Sequence, residues 1–251
     1  MNQMKTFFSV LTLAFLLAFT ACTCTNRNAG TASEDNCTPI NNAVLTAEQQ
    51  AALTPQMVID KLRRGNQDFV NNNLTIRSTT ERVEASAEGQ YPMAVILSCL
   101  DSRVPVEDIF QMGIGDLFVA RVAGNIVNTD ILGSMEFACA AAGARVIMVL
   151  GHGACGAVIH AISDTQMGNI TAMLSRIRPA VAEAKADFEG EACASNTCFV
   201  EAVTIMNVAL AVQQIREQSP ILREMEENGQ IKIIGGYYNM HTGLVEFFEN
   251  I

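Results

Sequence analysis

An α/β domain built on a mostly parallel central sheet flanked by helices is the fold class this sequence predicts, and three observations predict it. Apolar runs of strand length recur as MAVILSC, DLFVARV and RVIMVLG, beginning at Met93, Asp116 and Arg145. The stretches between them have helical character, and strands alternating with helices imply a parallel sheet covered on both faces. The 251 residues are 49% hydrophobic, enough for one domain with a substantial buried core.

The fold does not begin at Met1. Lys5 supplies a positive n-region and FFSVLTLAFLLAF an apolar h-region of signal-peptide length, so residues 1–21 are expected to be a cleaved export signal. The following FTAC leads to Cys22 and resembles the lipobox of bacterial lipoproteins, with Phe19 in place of the usual leucine. Cys22 is thus the expected lipidation site, and residues 22–44, small, polar and without apolar periodicity, the expected tether. Without residues 1–21 the chain has 15 basic against 26 acidic residues, a net of −11. That argues against nucleic acid, and against anionic lipid as a direct partner, since both require clustered Lys and Arg. No other run is read as membrane-spanning.

The domain is expected over residues 45–251. Leu53, Met57, Leu62 and Phe69 place an apolar stripe on one helical face. Thr46 and Thr54 are candidate N-caps, Pro55 takes the first helical position, and Gly65 is expected to mark a break. A polar stretch to Gln90 reads as loop. Beyond it come the first strand, a short helix in PVEDIFQM, the second strand, a small-residue helix in ILGSMEFACAAAGA and the third strand. Near the end, IKIIGGYYNMHTGLVEFF gives a further strand, a turn at His241 to Gly243 and an edge strand.

Functional groups of such sheets gather at the carboxyl ends of strands, and two of these ends carry unusual residues. The first is LSCLDSRVP, where Cys99, Asp101 and Arg103 alternate and, in an extended chain, point to one side. The second is VLGHGACGAV, which spells G-x-G-x-x-G at Gly151, Gly153 and Gly156 but contains His152 and Cys155. A dinucleotide site would need an acidic residue about 20 positions further on, ending a second strand. The sequence AVIHAISDTQMGNITAMLSRI offers helix and loop there instead. Two thiolates and an imidazole from adjacent strand ends suit a catalytic zinc site, which uses three protein ligands and keeps a fourth position open. Asp101 could fill or vacate that position, and Arg103 is the natural partner to hold it away.

With these residues on the page the sequence resembles the beta-class carbonic anhydrases. The resemblance runs through LRRGNQDFV, SCLDSRVPVEDIF, ARVAGNIV, GSMEFACAAAGARVIMVLGHGACGAV and GGYYNMHTGLVEF, covering about residues 45–251, with Cys-x-Asp-x-Arg and His-x-x-Cys some fifty residues apart. It implies Zn²⁺ held by Cys99, His152 and Cys155, with Asp101 as a fourth ligand in a closed state. Asp101 and Arg103 become the catalytic gating pair, and Gly124 and Asn125 line the substrate site. It further implies an N-terminal helical arm, from Thr46 to about Asn73, wrapped on a second copy of the chain in a dimer or tetramer.

The implied reaction is reversible hydration of carbon dioxide to bicarbonate and a proton by a zinc-bound hydroxide, with activity rising from neutral to alkaline pH. Members that close at low pH use a bicarbonate pocket with tryptophan; this chain has no tryptophan, and Ile96 stands at that position. The alternatives are a carbon disulfide or carbonyl sulfide hydrolase on the same zinc, a non-catalytic zinc-binding lipoprotein, and a redox sensor using Cys99 and Cys155. His160 and His241 read as solvated rather than as proton shuttles. Of the remaining cysteines, Cys139 is expected buried. Cys24, Cys37, Cys193 and Cys198 are available for disulfides, with Cys193 and Cys198 a candidate local pair in an exported, periplasm-facing or surface-anchored protein.

Overall fold

The structure is a computed structural model and describes residues 43–251. The expected export signal, Cys22 and nearly all of the expected tether lie outside the described residues, as do Cys24 and Cys37.

Two short segments open the domain, α1 (Ala47–Ala51) and α2 (Pro55–Val70). Each is capped as expected. Thr46 Oγ1 accepts from Gln49 N at 3.3 Å while the Gln49 side chain reaches back to Thr46 N at 2.9 Å, and Thr54 Oγ1 accepts from Met57 N at 3.2 Å. Gly65 does not break α2. The helix runs through it because a Cβ there would lie 1.8 Å from the Phe110 carbonyl oxygen, so only glycine lets the helix lie this close to its neighbour. The buried face also differs from the expected stripe. Val58, Ile59, Leu62, Gly65 and Asn66 face inward, whereas Met57 is half exposed. Val58, Ile59 and Leu62 pack on this chain's own Ile109, Phe110 and Met93, at about 1.5–3 kcal/mol of burial each.

The stretch read as loop contains α3 (Thr79–Ser86). It was invisible to periodicity because it is anchored by charge. Arg82, 2% exposed, pairs with Asp116 at 2.7 Å and donates to the carbonyls of Ala43 and Ile114.

The alternating units then follow as expected: β1 (Ala94–Ser98), α4 (Val106–Ile109), β2 (Leu117–Arg121), α5 (Thr129–Glu136) continued by a π-turn at Phe137–Ala141, and β3 (Val146–His152). After them come α6 (Gly156–Ile162), α7 (Gly168–Leu174), α8 (Arg178–Asp187), α9 (Thr197–Gln218) and α10 (Pro220–Glu227). The chain ends in β4 (Lys232–Tyr238), a turn through His241 and Thr242, and β5 (Val245–Phe248).

The sheet order is β2-β1-β3-β4-β5. All neighbours are parallel except β5, which is an antiparallel edge strand. Both faces are covered, which is why β1 and β3 are buried at every position and, apart from Ser98 and His152 at their carboxyl ends, apolar rather than alternating. Ile96, Met148 and Ile234 pack beneath α2 and α4, while Val95, Leu97, Ile147, Val149 and Ile233 meet α5, α9 and α10. α9 is long and apolar enough to cross a membrane, contrary to the reading that no further run would be. Its Val203, Val208, Val212 and Ile215 are fully buried, which makes it a core helix of this domain. A third cluster, formed by α6 to α9, encloses Cys99 and Cys155.

Replacing Gly65 by alanine should cost about 3 kcal/mol through overpacking against Phe110. Thermal denaturation should show this as a clear drop in Tm, and an unchanged midpoint would refute the close α2–α4 approach.

Candidate metal centre

Register brings the two strand ends together. β1 and β3 are neighbours with Ser98 opposite Leu150, so the residue leaving β1, Cys99, lies beside the end of β3, where His152 is the last residue. Cys155 is the residue before α6. The two sulfur atoms and an imidazole nitrogen lie within 4.8 Å of one another, and all three residues are buried.

Hydrogen bonds define the imidazole. His152 Nδ1 lies 2.9 Å from the Gly153 carbonyl oxygen, which can only accept, so Nδ1 donates and Nε2 is the nitrogen left to bind a metal. Nε2 is buried and has no hydrogen-bond partner among the described residues. The thiols are electrostatically unequal. A hydrogen bond from Cys155, with smaller help from His152 and the Gly124 N–H, brings Cys99 down to about 4. The same contact, together with burial, pushes Cys155 up. One proton is thus shared by two sulfurs, and a divalent cation would displace it.

None of the three glycines in VLGHGACGAV has positive φ; the left-handed residue of this turn is Ala154, with φ of 51°. Gly151 instead makes room for α9, since a Cβ there would lie 2.7 Å from Val208 Cγ2.

Asp101 and Arg103 also differ from the extended arrangement. The chain turns at Asp101, where Oδ1 accepts from Arg103 N at 2.9 Å and Val104 N bonds to the Asp101 carbonyl at 3.1 Å. This turn lets the guanidinium fold back. Arg103 Nε donates to Oδ1 at 2.9 Å and Nη2 to Oδ2 at 2.7 Å, a two-toothed grip that holds the Asp101 carboxyl down at about 2. Oδ2 lies 3.9 Å from His152 Nε2, facing the three candidate ligands.

Gly124 and Asn125 sit in a tight turn, Ala123–Asn125, that closes the site from the β2 side. Gly124 has φ of 70°, and a Cβ would meet Ile177 Cδ1 at 2.5 Å; its N–H points at Cys99 Sγ at 3.4 Å. Asn125 is buried, and its N–H holds the turn through the Val122 carbonyl at 2.9 Å.

Two supporting residues escaped the sequence reading. Arg121, at the end of β2, donates Nε to the Cys99 carbonyl at 2.9 Å and Nη2 to the Asp101 carbonyl at 2.5 Å, fixing the loop that carries both side chains. Asn207 Nδ2 donates to the Gly124 carbonyl at 2.9 Å from within α9. A lone amide inside the apolar TIMNVALAV was a legible signal, because a buried amide must find a partner. Arg121 carried no such signal.

His160, whose ring meets Thr165 Oγ1 at 3.0 Å, and His241, in its turn, are both exposed. Cys139 is buried, and burial pushes its thiol up to about 12. The expected Cys193–Cys198 bridge is not formed, and both thiols are free. Asn196 caps α9 by accepting from Cys198 N and Phe199 N, which draws Cys198 into the first helical turn, while Cys193 Sγ turns to Ser195 Oγ at 3.1 Å.

The donor set fits zinc, since two thiols and one neutral imidazole with an unclaimed lone pair are zinc ligands in chemistry and in number. Fold and site together define an α/β protein with a candidate metal centre at the carboxyl end of a parallel sheet. The sequence model of the carbonic anhydrase family matches residues 94–245. Carbonic anhydrase 2 of Mycobacterium tuberculosis is 33% identical over 196 residues, 76% of this chain and 91% of the relative. The carbonic anhydrase of Mycolicibacterium smegmatis is 30% identical over the same shares. Among solved structures, the beta-carbonic anhydrase of Coccomyxa covers 76% of this chain and 82% of its own at a TM-score of 0.59 and 24% identity. A tetrameric one from Sordaria macrospora covers 76% and 94% at 0.58 and 24%. These two show the likeness of fold. The chain belongs to the beta-class carbonic anhydrase family.

Thiol alkylation at pH 8 followed by peptide mapping should label Cys193 and Cys198 and leave Cys139 unmodified, since its thiol ionises only near 12. Labelling of Cys139 at the rate of Cys198 would contradict its burial.

Proposed function

We propose that the protein is a zinc enzyme interconverting carbon dioxide with bicarbonate and a proton, held at a membrane by a lipid on Cys22 and working as a dimer or tetramer. The observation that carries the reaction is the pairing of the unclaimed His152 Nε2 with an Asp101 carboxylate gripped by Arg103 within 3.9 Å of it. Cys99, His152 and Cys155 would hold the metal. Zinc bound there would supply Lewis acidity that lowers the pKa of a water enough for attack on carbon dioxide near neutral pH.

This chain's own groups do the rest. The Arg103 grip holds the Asp101 carboxylate back from the three candidate ligands, so a metal held there would keep a place for substrate oxygen. Asp101 Oδ2 would accept a hydrogen from that oxygen and so orient it toward the carbon. Arg121 fixes the Cys99 and Asp101 carbonyls, so the carboxylate and the thiolate keep their spacing. The burial of Cys99, His152 and Cys155 excludes competing water from the ligand side. A metal held only for structure would not need this grip on Asp101, which weighs against a non-catalytic lipoprotein.

Oligomerisation is supported by the open edge of β2, beside which Phe118, Ile131 and Phe137 line a cleft of about 760 Å³, with Phe137 58% exposed. Export and lipidation rest on the sequence of residues 1–22.

Stopped-flow carbon dioxide hydration by protein starting at Thr23 should show zinc-dependent turnover rising from neutral to alkaline pH. D101N should lose at least about 100-fold in kcat/KM, the lower range of a positioned proton acceptor. Removing zinc with a chelator should abolish turnover, and C155S should bind substoichiometric zinc by elemental analysis. Full zinc occupancy without hydration would overturn the proposal. Faster turnover of carbon disulfide or carbonyl sulfide than of carbon dioxide would move it to the hydrolase reading.

A further inference from the structure

At the opposite end of the sheet from the metal centre, where β2 begins, a cleft of about 410 Å³ lies between α2, α3 and the first described residues of the chain. Its wall gathers cations in a protein whose acidic residues outnumber its basic ones. Lys61 and Arg64 stand one turn apart on α2, Arg77 comes from the segment before α3, and Arg82 from α3 itself.

Two carboxylates share the wall, and both are already engaged. Asp116 accepts from Arg82 at 2.7 Å and from the Gly113 N–H at 2.7 Å, and Asp68 accepts from Asn73 Nδ2 at 3.0 Å. Arg82 is itself fully used by Asp116, Ala43 and Ile114. Lys61, Arg64 and Arg77 are left, and no ion pair or hydrogen bond holds any of them among the described residues.

The cations nevertheless crowd together. A Cβ on Gly113 would lie 2.5 Å from Arg82 Nε and 2.8 Å from Arg77 Cδ, so these two arginines lie side by side over the glycine. Burial, against the pull of Asp116, and then the like charges of Arg82, Arg64 and Arg77 push the Lys61 ammonium down from its usual value, and burial with Arg82 does the same to Arg77 against Asp116 and Asp108. Arg64 is exposed, but Lys61 and Arg77 are partly buried, and partly buried cations without an ion-pair partner destabilise a fold unless an anion joins them. Thr75 and Gln111 on the same wall add polar groups, and Gln111 Oε1 is fixed by the Thr75 N–H at 2.8 Å.

We propose that this cleft is an anion site in which Lys61, Arg64 and Arg77 bind a phosphate-type group, either free phosphate or, against the expectation drawn from net charge and because these cations are clustered in the fold, the headgroup of an anionic phospholipid. Neither the family nor the metal centre requires it, and it stands independently of the proposed reaction. Two features favour a phosphate over a single carboxylate: three cations line one cleft, more charge than a single carboxylate would balance, and they come from two separate elements, α2 and the segment before α3. The cleft also opens beside Ala43 to Leu45, where the expected tether enters the domain, so a headgroup could reach it in an anchored protein.

The test uses zinc-loaded protein starting at Thr23 and, beside it, the double variant K61Q/R77Q. Isothermal titration with inorganic phosphate at constant ionic strength should give saturable binding to the parent, weakened about 100-fold in the variant, about tenfold for each charge-assisted hydrogen bond removed. Without phosphate the variant should melt no lower than the parent, because the substitutions relieve repulsion; this also shows that it folds. Co-sedimentation with phosphatidylglycerol vesicles, against phosphatidylcholine vesicles, separates the sources. Phosphate-competed binding to the former identifies a headgroup, whereas phosphate binding without vesicle binding identifies a free anion. No saturable phosphate binding together with no vesicle binding, or binding unchanged in K61Q/R77Q, would overturn the site.

Discussion

A buried imidazole nitrogen with no partner costs about 1–3 kcal/mol, and His152 Nε2 is in that position, at the end of a strand that is otherwise apolar. The structure sustains it by constraining the neighbours. The Gly153 carbonyl fixes the proton on Nδ1, the two flanking sulfurs share one proton, and the one nearby carboxylate is held by Arg103 instead of turning to the ring. Each of these arrangements leaves an electron pair aimed at a common point. A cation placed there would satisfy all of them at once.

The fold supplies the positions that this arrangement needs. A parallel sheet ends its neighbouring strands at the same level, so residues far apart in sequence emerge side by side. Cys99 leaves β1 and His152 ends β3 through the register that sets Ser98 opposite Leu150. The loops that follow would be free to wander if nothing held them. Arg121 ties one to β2, and Asn207 ties the Gly124 turn to α9, so rigidity at the metal centre comes from the core on either side of it.

Charge is distributed with similar economy. In a chain of net negative charge, the buried Arg82–Asp116 pair takes the place that apolar residues would hold under α3. Around it the cations Lys61, Arg64 and Arg77 have no ion-pair partner of their own among the described residues. The two ends of the sheet thus have opposite characters, one gathering electron pairs for a metal and the other gathering positive charge.

The sequence by itself determined the strands, their parallel arrangement and the identities of Cys99, Asp101, Arg103, His152 and Cys155. These follow from local pattern: buried parallel strands are uniformly apolar, and metal chemistry restricts residue type and spacing. Tertiary structure decided what local pattern does not encode. Gly65 reads as a helix break in sequence and is instead a point of backbone contact, because what it avoids is Phe110 in another element. α3 has no apolar periodicity, since an ion pair anchors it. Asp101 and Arg103 meet through a turn rather than by strand alternation, and Cys193 and Cys198 stay apart because a helix cap claims the second. Arg121 gave no sign in sequence, because its function lies in two carbonyls that only the folded sheet brings within reach of its guanidinium.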